Sequence, residues 1–349
     1  MIDPERILLI RRKAIGDVLV SMDVARALRE RWPAASIHLV VDRFAAPVVD
    51  GSPLIDDLLV YDRKAQSTGS WTARVDALLH WVESLRGVRA DLAVDLMGTP
   101  QTALWTRLSG ARMRVGPRKR FRTWAYHRAI EARRDPVFAG ERFLDWVRAL
   151  DVDPGAWRPQ RVPVSPRDSE RVVSILSTRG TSDAGLILLN ASATWPAKAW
   201  PLDHFARLGR RLREDTGAEV ALAWGPGEEE GIDTVVRNAG GSVWPLPPTT
   251  LPELAAWLDR ADLLVTTDSG PKHLAVAQGT PTVTVFGSTD PRGWQPPGPR
   301  HRALTNLVDC HPCNLLECPV PGHPCLDALD PEIVATAAVE LLAQTRSAA

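Results

Sequence analysis

The segment Leu263-Leu264-Val265-Thr266-Thr267-Asp268-Ser269-Gly270-Pro271-Lys272-His273-Leu274-Ala275 constrains this chain most, because it joins an apolar run to a small-residue turn and then to a helical pattern. That order specifies a strand entering a helix, the unit of an α/β fold. The backbone N–H groups of Asp268, Ser269 and Gly270, a proline at the first helical position and the helix dipole together form a cradle suited to phosphate. A second junction stands at the other end, where Ile7-Leu8-Leu9-Ile10-Arg11-Arg12 leads to Ala14-Ile15-Gly16-Asp17 and an amphipathic run. There an acid meets the helix start. One junction for a phosphate and one presenting a carboxylate imply transfer chemistry shared by two halves.

At 349 residues the chain exceeds what one core usually organises, so two domains are expected. Apolar runs at 6–11, 36–41, 58–61 and 91–96 read as buried parallel strands, with helical patterns at 18–32, 71–86 and 101–109 between them. Strands near 185–190, 219–224, 262–266 and 281–286 repeat the style, with helices near 202–214, 229–238, 250–260, 271–278 and 331–344. The expected fold is α/β with two doubly wound Rossmann-like domains. The first spans 1–158 and the second 159–330, followed by a helix and tail at 331–349. The prolines at 154, 159, 163 and 166 predict a stiff connection over 151–168.

The net charge is zero, yet it is unevenly spread. Up to residue 165 there are 27 Lys+Arg against 20 Asp+Glu, and beyond it 15 against 22. Arg112, Arg114, Arg118, Lys119, Arg120 and Arg122 fall within eleven residues that hold no acid. Such a run either draws an anionic substrate or phosphate-rich membrane surface to the first half, or is a solvated loop. Basic and aromatic residues do not interleave as in a nucleic-acid module, so no nucleic-acid partner is expected. The N-terminus has no signal-peptide pattern and no apolar run approaches a membrane span, so a cytoplasmic protein, at most peripheral on a membrane, is expected.

Several motifs recur in a known order. The Ile-Gly-Asp-Val-Leu core of 7–28, Asp91-Leu92-Ala93-Val94-Asp95-Leu96 followed by Ser109-Gly110-Ala111-Arg112, the 268–275 segment, and Gly279-Thr280-Pro281 leading to Phe286-Gly287-Ser288-Thr289-Asp290-Pro291 together resemble the ADP-heptose:lipopolysaccharide heptosyltransferases. The resemblance spans nearly the whole chain. It implies a glycosyltransferase of the GT-B type, its two domains facing across a cleft, with an ADP-heptose donor and inversion at the anomeric carbon. It also implies an anionic glycolipid or glycan acceptor, such as the lipopolysaccharide inner core, and contact with the inner membrane surface.

Glycosyl transfer needs a base for the acceptor hydroxyl, positive charge for the departing diphosphate and a site that excludes water. Asp17 is the candidate base and matches the family's catalytic aspartate; its other reading is a helix N-cap. Lys198, in the loop Asn190 to Pro201, matches the family's lysine before Trp-Pro and is the candidate cation for the diphosphate, with Thr194 at a phosphate-contacting position. Asp268, Ser269, Gly270, Lys272 and His273 complete the expected donor site. In Ala223-Trp224-Gly225-Pro226-Gly227-Glu228-Glu229-Glu230, which resembles the family's adenosine loop, Glu229 is the chosen ribose partner. Arg118, Lys119 and Arg120 are expected to hold the acceptor. Asp95 either lines the acceptor site or caps a turn.

Cys310, Cys313, Cys318 and Cys325 form one cluster. A pair two residues apart followed closely by two more suggests a tetrathiolate site for structural zinc or iron, with disulfides or free thiols as the alternative. No catalytic metal is expected, because no pair of acids flanks the phosphate cradle. Two other functions fit the same pattern. A nucleotide-sugar epimerase or hydrolase of this fold would keep the cradle without a separate acceptor surface, and an idle sugar-nucleotide or metal-binding protein would tolerate loss of Asp17.

Overall fold

The computed structural model describes residues 3–64, 68–131, 133, 137–179 and 185–347. The chain divides into two compact units, Met1–Pro163 and Val164–Ala349. In the first, strands β1 (Arg6–Ile10), β2 (Ser36–Asp42), β3 (Asp57–Tyr61), β4 (Leu92–Asp95), β5 (Met113–Pro117) and β6 (Arg128–Ile130) form a parallel sheet in the order 3-2-1-4-5-6. The helices are α1 (Ile15–Arg31), α2 (Trp71–Gly87), α3 (Pro100–Leu108) and the short α4 (Ala139–Phe143) and α5 (Asp145–Arg148).

The second unit holds α6 (Pro166–Thr178), β7 (Leu186–Asn190), α7 (Leu202–Thr216), β8 (Glu219–Ala223), α8 (Glu229–Asn238) and β9 (Trp244–Pro245). These continue into α9 (Leu251–Arg260), β10 (Leu263–Thr267), α10 (Gly270–Gln278), β11 (Thr282–Val285), α11 (Pro291–Trp294), β12 (His301–Leu304), α12 (Pro324–Asp327) and α13 (Pro331–Ser347). Its sheet, also parallel, runs 12-11-10-7-8-9. Counted from the first strand of each unit, both sheets have the same order. Each therefore has one point where the winding reverses, between β1 and β4 and between β7 and β10, and ligands of such sheets bind outside the strand ends at that point.

The eight strands expected from apolar runs are all present, because strands covered on both faces are apolar along most of their length: β4 and β7 are buried at every residue and turn polar only at the last one, Asp95 and Asn190. Four strands escape that rule. β5 and β6 carry Arg114 and Arg128 among few apolar residues, and β9 and β12 are short edge strands. The basic run is consequently not one loop: Arg112 and Arg114 sit at the start of β5, whereas Arg118 to Arg122 lie beyond its carboxyl end.

The connection expected over 151–168 stops earlier. Ser165 accepts from the Asp168 N–H and Pro166 takes the first helical position, so α6 begins there. The helix expected near 331–344 is present as α13 and belongs to the second unit, because it packs on α7 and lends Val334, Ala338, Leu341 and Leu342 to that unit's core. Gly217 and Gly279, at φ 67 and 82, close α7 and α10 in the left-handed conformation that glycine accepts without penalty. In the first unit Tyr61, Trp81 and Trp105 pack with centroids 4.7 to 5.0 Å apart, Tyr61 and Trp81 edge to face and the other two pairs tilted, and the Arg12 guanidinium lies over Tyr61 and Trp105. Each such pair adds roughly 0.5–1.5 kcal/mol beyond area burial.

Candidate functional site

In the second unit the expected donor residues gather where the winding reverses. Asp268 follows β10 and is 5% exposed, although it carries a charge. Its carboxylate accepts from Lys198 Nζ at 2.8 Å and Thr289 Oγ1 at 2.7 Å, and forms a close ion pair with Lys272 Nζ. Lys272 is fully buried; its ammonium also donates to the Trp294 carbonyl at 3.0 Å and lies over the Phe286 ring. Burial alone would raise the Asp268 pKa, but Lys272 and Lys198 overcome it and hold the carboxyl well below its ordinary range. Burial and the neighbouring Lys272 also lower the His273 pKa, well below the usual imidazole value, which leaves the ring neutral.

Ser269 does not cap α10 with its side chain, which leaves the first-turn N–H groups after Gly270 available to an anion. Asn190, at the end of β7, donates its amide to Thr266 Oγ1 at 3.0 Å and Ser269 Oγ at 3.2 Å, tying the two strand ends at the turn. Lys198 ends a helical turn at Pro196–Lys198 and stacks its ammonium 4.7 Å from the Trp195 ring centroid. Thr194 is exposed in the same loop, outside the Asp268 network.

The glutamate reaching inward is Glu228, not Glu229. Its carboxylate accepts from Ser192 Oγ at 2.5 Å and from the Gly225 N–H at 2.7 Å, joining the loops after β7 and β8. Glu229 is exposed in the first turn of α8. A glutamate one residue before a helix can fold back across the preceding turn, whereas one inside it must follow the helix surface.

In the first unit Asp17 is the third residue of α1, two residues beyond its start and therefore not the N-cap. The helix begins earlier than its apolar periodicity because Ile15 and Gly16 already adopt helical geometry. Asp17 Oδ2 accepts from the Ala14 N–H at 3.1 Å, the reach-back of an acid at that position, while Oδ1 pairs with Arg11 at 2.6 Å. Arg11 is buried, donates to the Leu96 carbonyl and lies over Phe143. Nothing in the local sequence marks Arg11 and Arg12 as site residues; their burial is what distinguishes them. Arg12 is clamped by Asp42 at 2.7 Å.

Asp95 is fully buried and takes the turn-capping role: it accepts from the Met97 and Gly98 N–H groups at 2.9 Å each and from Tyr126 Oη at 2.8 Å. Gly98 is required there, since at φ +59 an added Cβ would lie 2.1 Å from Pro117. Lys119 donates to the Met97 carbonyl at 2.9 Å and Arg122 to that of Gly98 at 2.7 Å, so both lie over this turn. Arg118 and Arg120 are exposed beside them. Burial, the Arg122 charge and, more weakly, Arg11 lower the Lys119 pKa against the pull of Asp95. The carboxyl end of this sheet thus carries Arg11, Asp17, Lys119 and Arg122 around one turn system.

All four cysteines, with His311 and His323, line one cavity of about 50 Å³ in the second unit. They are free thiols, and burial together with the other three cysteines raises the Cys325 pKa. Among the described residues no three or more His, Cys, Asp or Glu form a ready ligand set. The loop has a second feature that its cysteines did not announce. The Leu316 carbonyl accepts from the Ala197 N–H at 3.0 Å and the Asn314 N–H donates to the Ser288 carbonyl at 2.7 Å, so it braces the turns that carry Lys198 and Thr289. Gly287 permits this, since a Cβ there would stand 2.5 Å from the Ala197 carbonyl.

The chain matches the model of glycosyltransferase family 9 (heptosyltransferase) over residues 78–323. It is 27% identical over 291 residues to the lipopolysaccharide heptosyltransferase 3 of Escherichia coli, covering 80% of this chain and 83% of that protein. The glycosyl transferase family 9 structure from Veillonella parvula superposes with a TM-score of 0.82 at 22% identity, covering 97% of each chain. The E. coli ADP-heptose lps heptosyltransferase II gives 0.78 at 21% identity over 98% of this chain and 99% of that one. These superpositions show the fold: two doubly wound α/β units in one chain of the GT-B type.

Proposed function

Because this chain belongs to glycosyltransferase family 9, we propose that it moves heptose from ADP-heptose to an anionic glycan acceptor of the lipopolysaccharide inner core, with inversion at the anomeric carbon. The observation that carries the reading is the buried Lys198–Asp268–Lys272 network at the start of α10. A buried carboxylate held between two ammoniums aims Lys198 at the space in front of a helix N-terminus, where a diphosphate would be held by both.

In this reading Asp17 takes the proton of the acceptor hydroxyl, whose oxygen forms the new bond to the anomeric carbon as the bond to the diphosphate oxygen breaks. Attack opposite the leaving group inverts the centre. Arg11 fixes the Asp17 carboxylate, and Lys119, Arg118 and Arg120 hold acceptor phosphates. Lys198 and the first-turn N–H groups of α10 take the charge growing on ADP, Ser269, Gly270 and Thr194 supply further contacts, and Glu228 meets the ribose. Lys272 and neutral His273 position Asp268 and the helix start from beneath. Transfer needs no divalent cation. The thiol cavity takes a structural zinc or iron that stiffens the loop bracing Lys198.

The test is incubation with ADP-heptose alone and with a truncated lipopolysaccharide acceptor, with the product's anomeric configuration read by NMR. Acceptor-dependent ADP release with inversion is expected. Equal ADP release without acceptor would assign a hydrolase instead. Asp17→Asn should keep donor binding while transfer falls about two to four decades, the scale of a lost general base.

A further inference from the structure

The first unit carries a surface that the proposed chemistry does not use. The crossovers from β3 to β4 and from β4 to β5 run across the sheet opposite to that from β1 to β2, so right-handed connections put α2 and α3 on the face away from α1. There α2 packs on α3, and α3 on the turn Thr123–Ala125. This layer exposes Trp71, Leu78 and Leu79 of α2, Leu104 of α3, and Phe121 and Trp124 beside the turn.

These residues are not spare core. The core takes Trp81 and Leu85 of α2, whereas Trp71, Val75, Leu78, Leu79 and Val82 recur at helical spacing on an adjoining stripe. Phe121 is 80% exposed and held at φ +63, a conformation that a bulky side chain adopts only at a cost and that glycine or asparagine would fill without one. Apart from the Arg120 guanidinium 4.8 Å over it, the ring has no partner among the described residues that would repay that cost in folding. Trp124 Nε1 donates to the Phe121 carbonyl, which holds both rings on one rigid turn.

The charge of the layer is one-sided. Residues 71–125 contain ten Lys or Arg and four Asp or Glu, and two of those acids, Asp91 and Asp95, are buried. Exposed aromatic and aliphatic side chains among basic ones match the boundary of an anionic bilayer, where rings enter the headgroup layer and cations meet lipid phosphate. A second copy docking through the same face would set basic surface against basic surface. Leu78, Leu79 and Leu104 would gain nothing from a nucleic-acid backbone.

We propose that the α2–α3–Thr123 face docks this protein on an anionic membrane, with Trp71, Phe121 and Trp124 as anchors and the exposed Arg74 of α2 and Arg107 of α3 as the electrostatic contact. Trp71 opens α2 after β3 and Phe121 follows β5, so both lie towards the carboxyl end of the sheet, the same end as Asp17, and the docked protein meets a lipid-borne acceptor at its site. The proposal extends the glycolipid reading above but is tested without donor or acceptor, so its failure is separate from that of the activity. The full chain is sedimented with vesicles of phosphatidylcholine with and without phosphatidylglycerol, across a salt series. Binding only to the anionic vesicles, weakening as salt rises, is expected. Phe121→Asp with Trp124→Asp should lower partitioning about tenfold or more, and Trp71→Ser by less, while Leu307→Asp on the other unit leaves it unchanged. Unchanged thermal melting of each variant shows that the fold is kept. Absence of binding to anionic vesicles, equal binding by the anchor variants, or a concentration-dependent dimer lost in those variants would overturn the proposal.

Discussion

Asp268→Asn tests the reasoning behind the donor site by stability rather than turnover. The substitution keeps the shape of the side chain but removes the charge that faces Lys272, which is 0% exposed, and Lys198 at 2.8 Å. Lys198 is partly exposed and can turn to water. Lys272 cannot, and is left with neutral acceptors alone, the amide oxygen at position 268 and the Trp294 carbonyl at 3.0 Å. Removing one partner of a buried pair costs about 3–5 kcal/mol because the other charge stays buried and uncompensated. Against a typical total of 5–15 kcal/mol that is a large loss. Replacing Lys272 as well, in Asp268→Asn with Lys272→Met, removes the stranded charge and should recover most of it, giving a coupling energy of about 2 kcal/mol or more. The assay is urea unfolding of the four proteins of the cycle, followed by tryptophan fluorescence. A single-variant loss below about 1 kcal/mol, or strict additivity, would show that Lys272 is not a buried ammonium dependent on Asp268.

Three further outcomes are expected. Arg118→Ala with Arg120→Ala should raise KM for a phosphorylated acceptor more than for ADP-heptose, by a factor that shrinks as salt rises; a salt-independent effect would make these arginines ordinary surface. His301, hydrogen-bonded to Thr282 and half-buried, has its pKa pushed down to about 4, first by burial and then by Arg300 and Lys272. The unfolded chain binds that proton near 6.5 and the folded chain only near 4, so stability is full above 6.5 and falls by about 3 kcal/mol as pH drops through this window. His301→Gln should flatten the slope, as read by thermal melts between those values. Elemental analysis should find about one zinc or iron per chain and excess chelator should leave transfer intact, while Cys310→Ser lowers Tm more than turnover of the folded fraction; metal-free native protein, or activity restored only by magnesium, would refute one half each.

The two doubly wound units were legible in the chain alone, because strands buried on both faces are mostly apolar and β1, β4, β7 and β10 each carry such a run between helical patterns. The two strand-to-helix junctions were legible there too, since local composition decides where a helix starts and what its first turn can hold. Where partners lie far apart in the chain, sequence was silent. Arg11 became a buried clamp on Asp17, Glu228 displaced Glu229, Asp95 turned inward to Tyr126, and Thr289 reached Asp268 across twenty-one positions. The basic run looked like one surface and was cut in two by β5, whose single buried valine, Val115, gave no periodic signal. Charge and hydrogen-bonding capacity are properties of a residue, but desolvation and partner distance belong to the folded chain, so it is folding that settles which ionisable groups are held, hidden or left to meet a ligand.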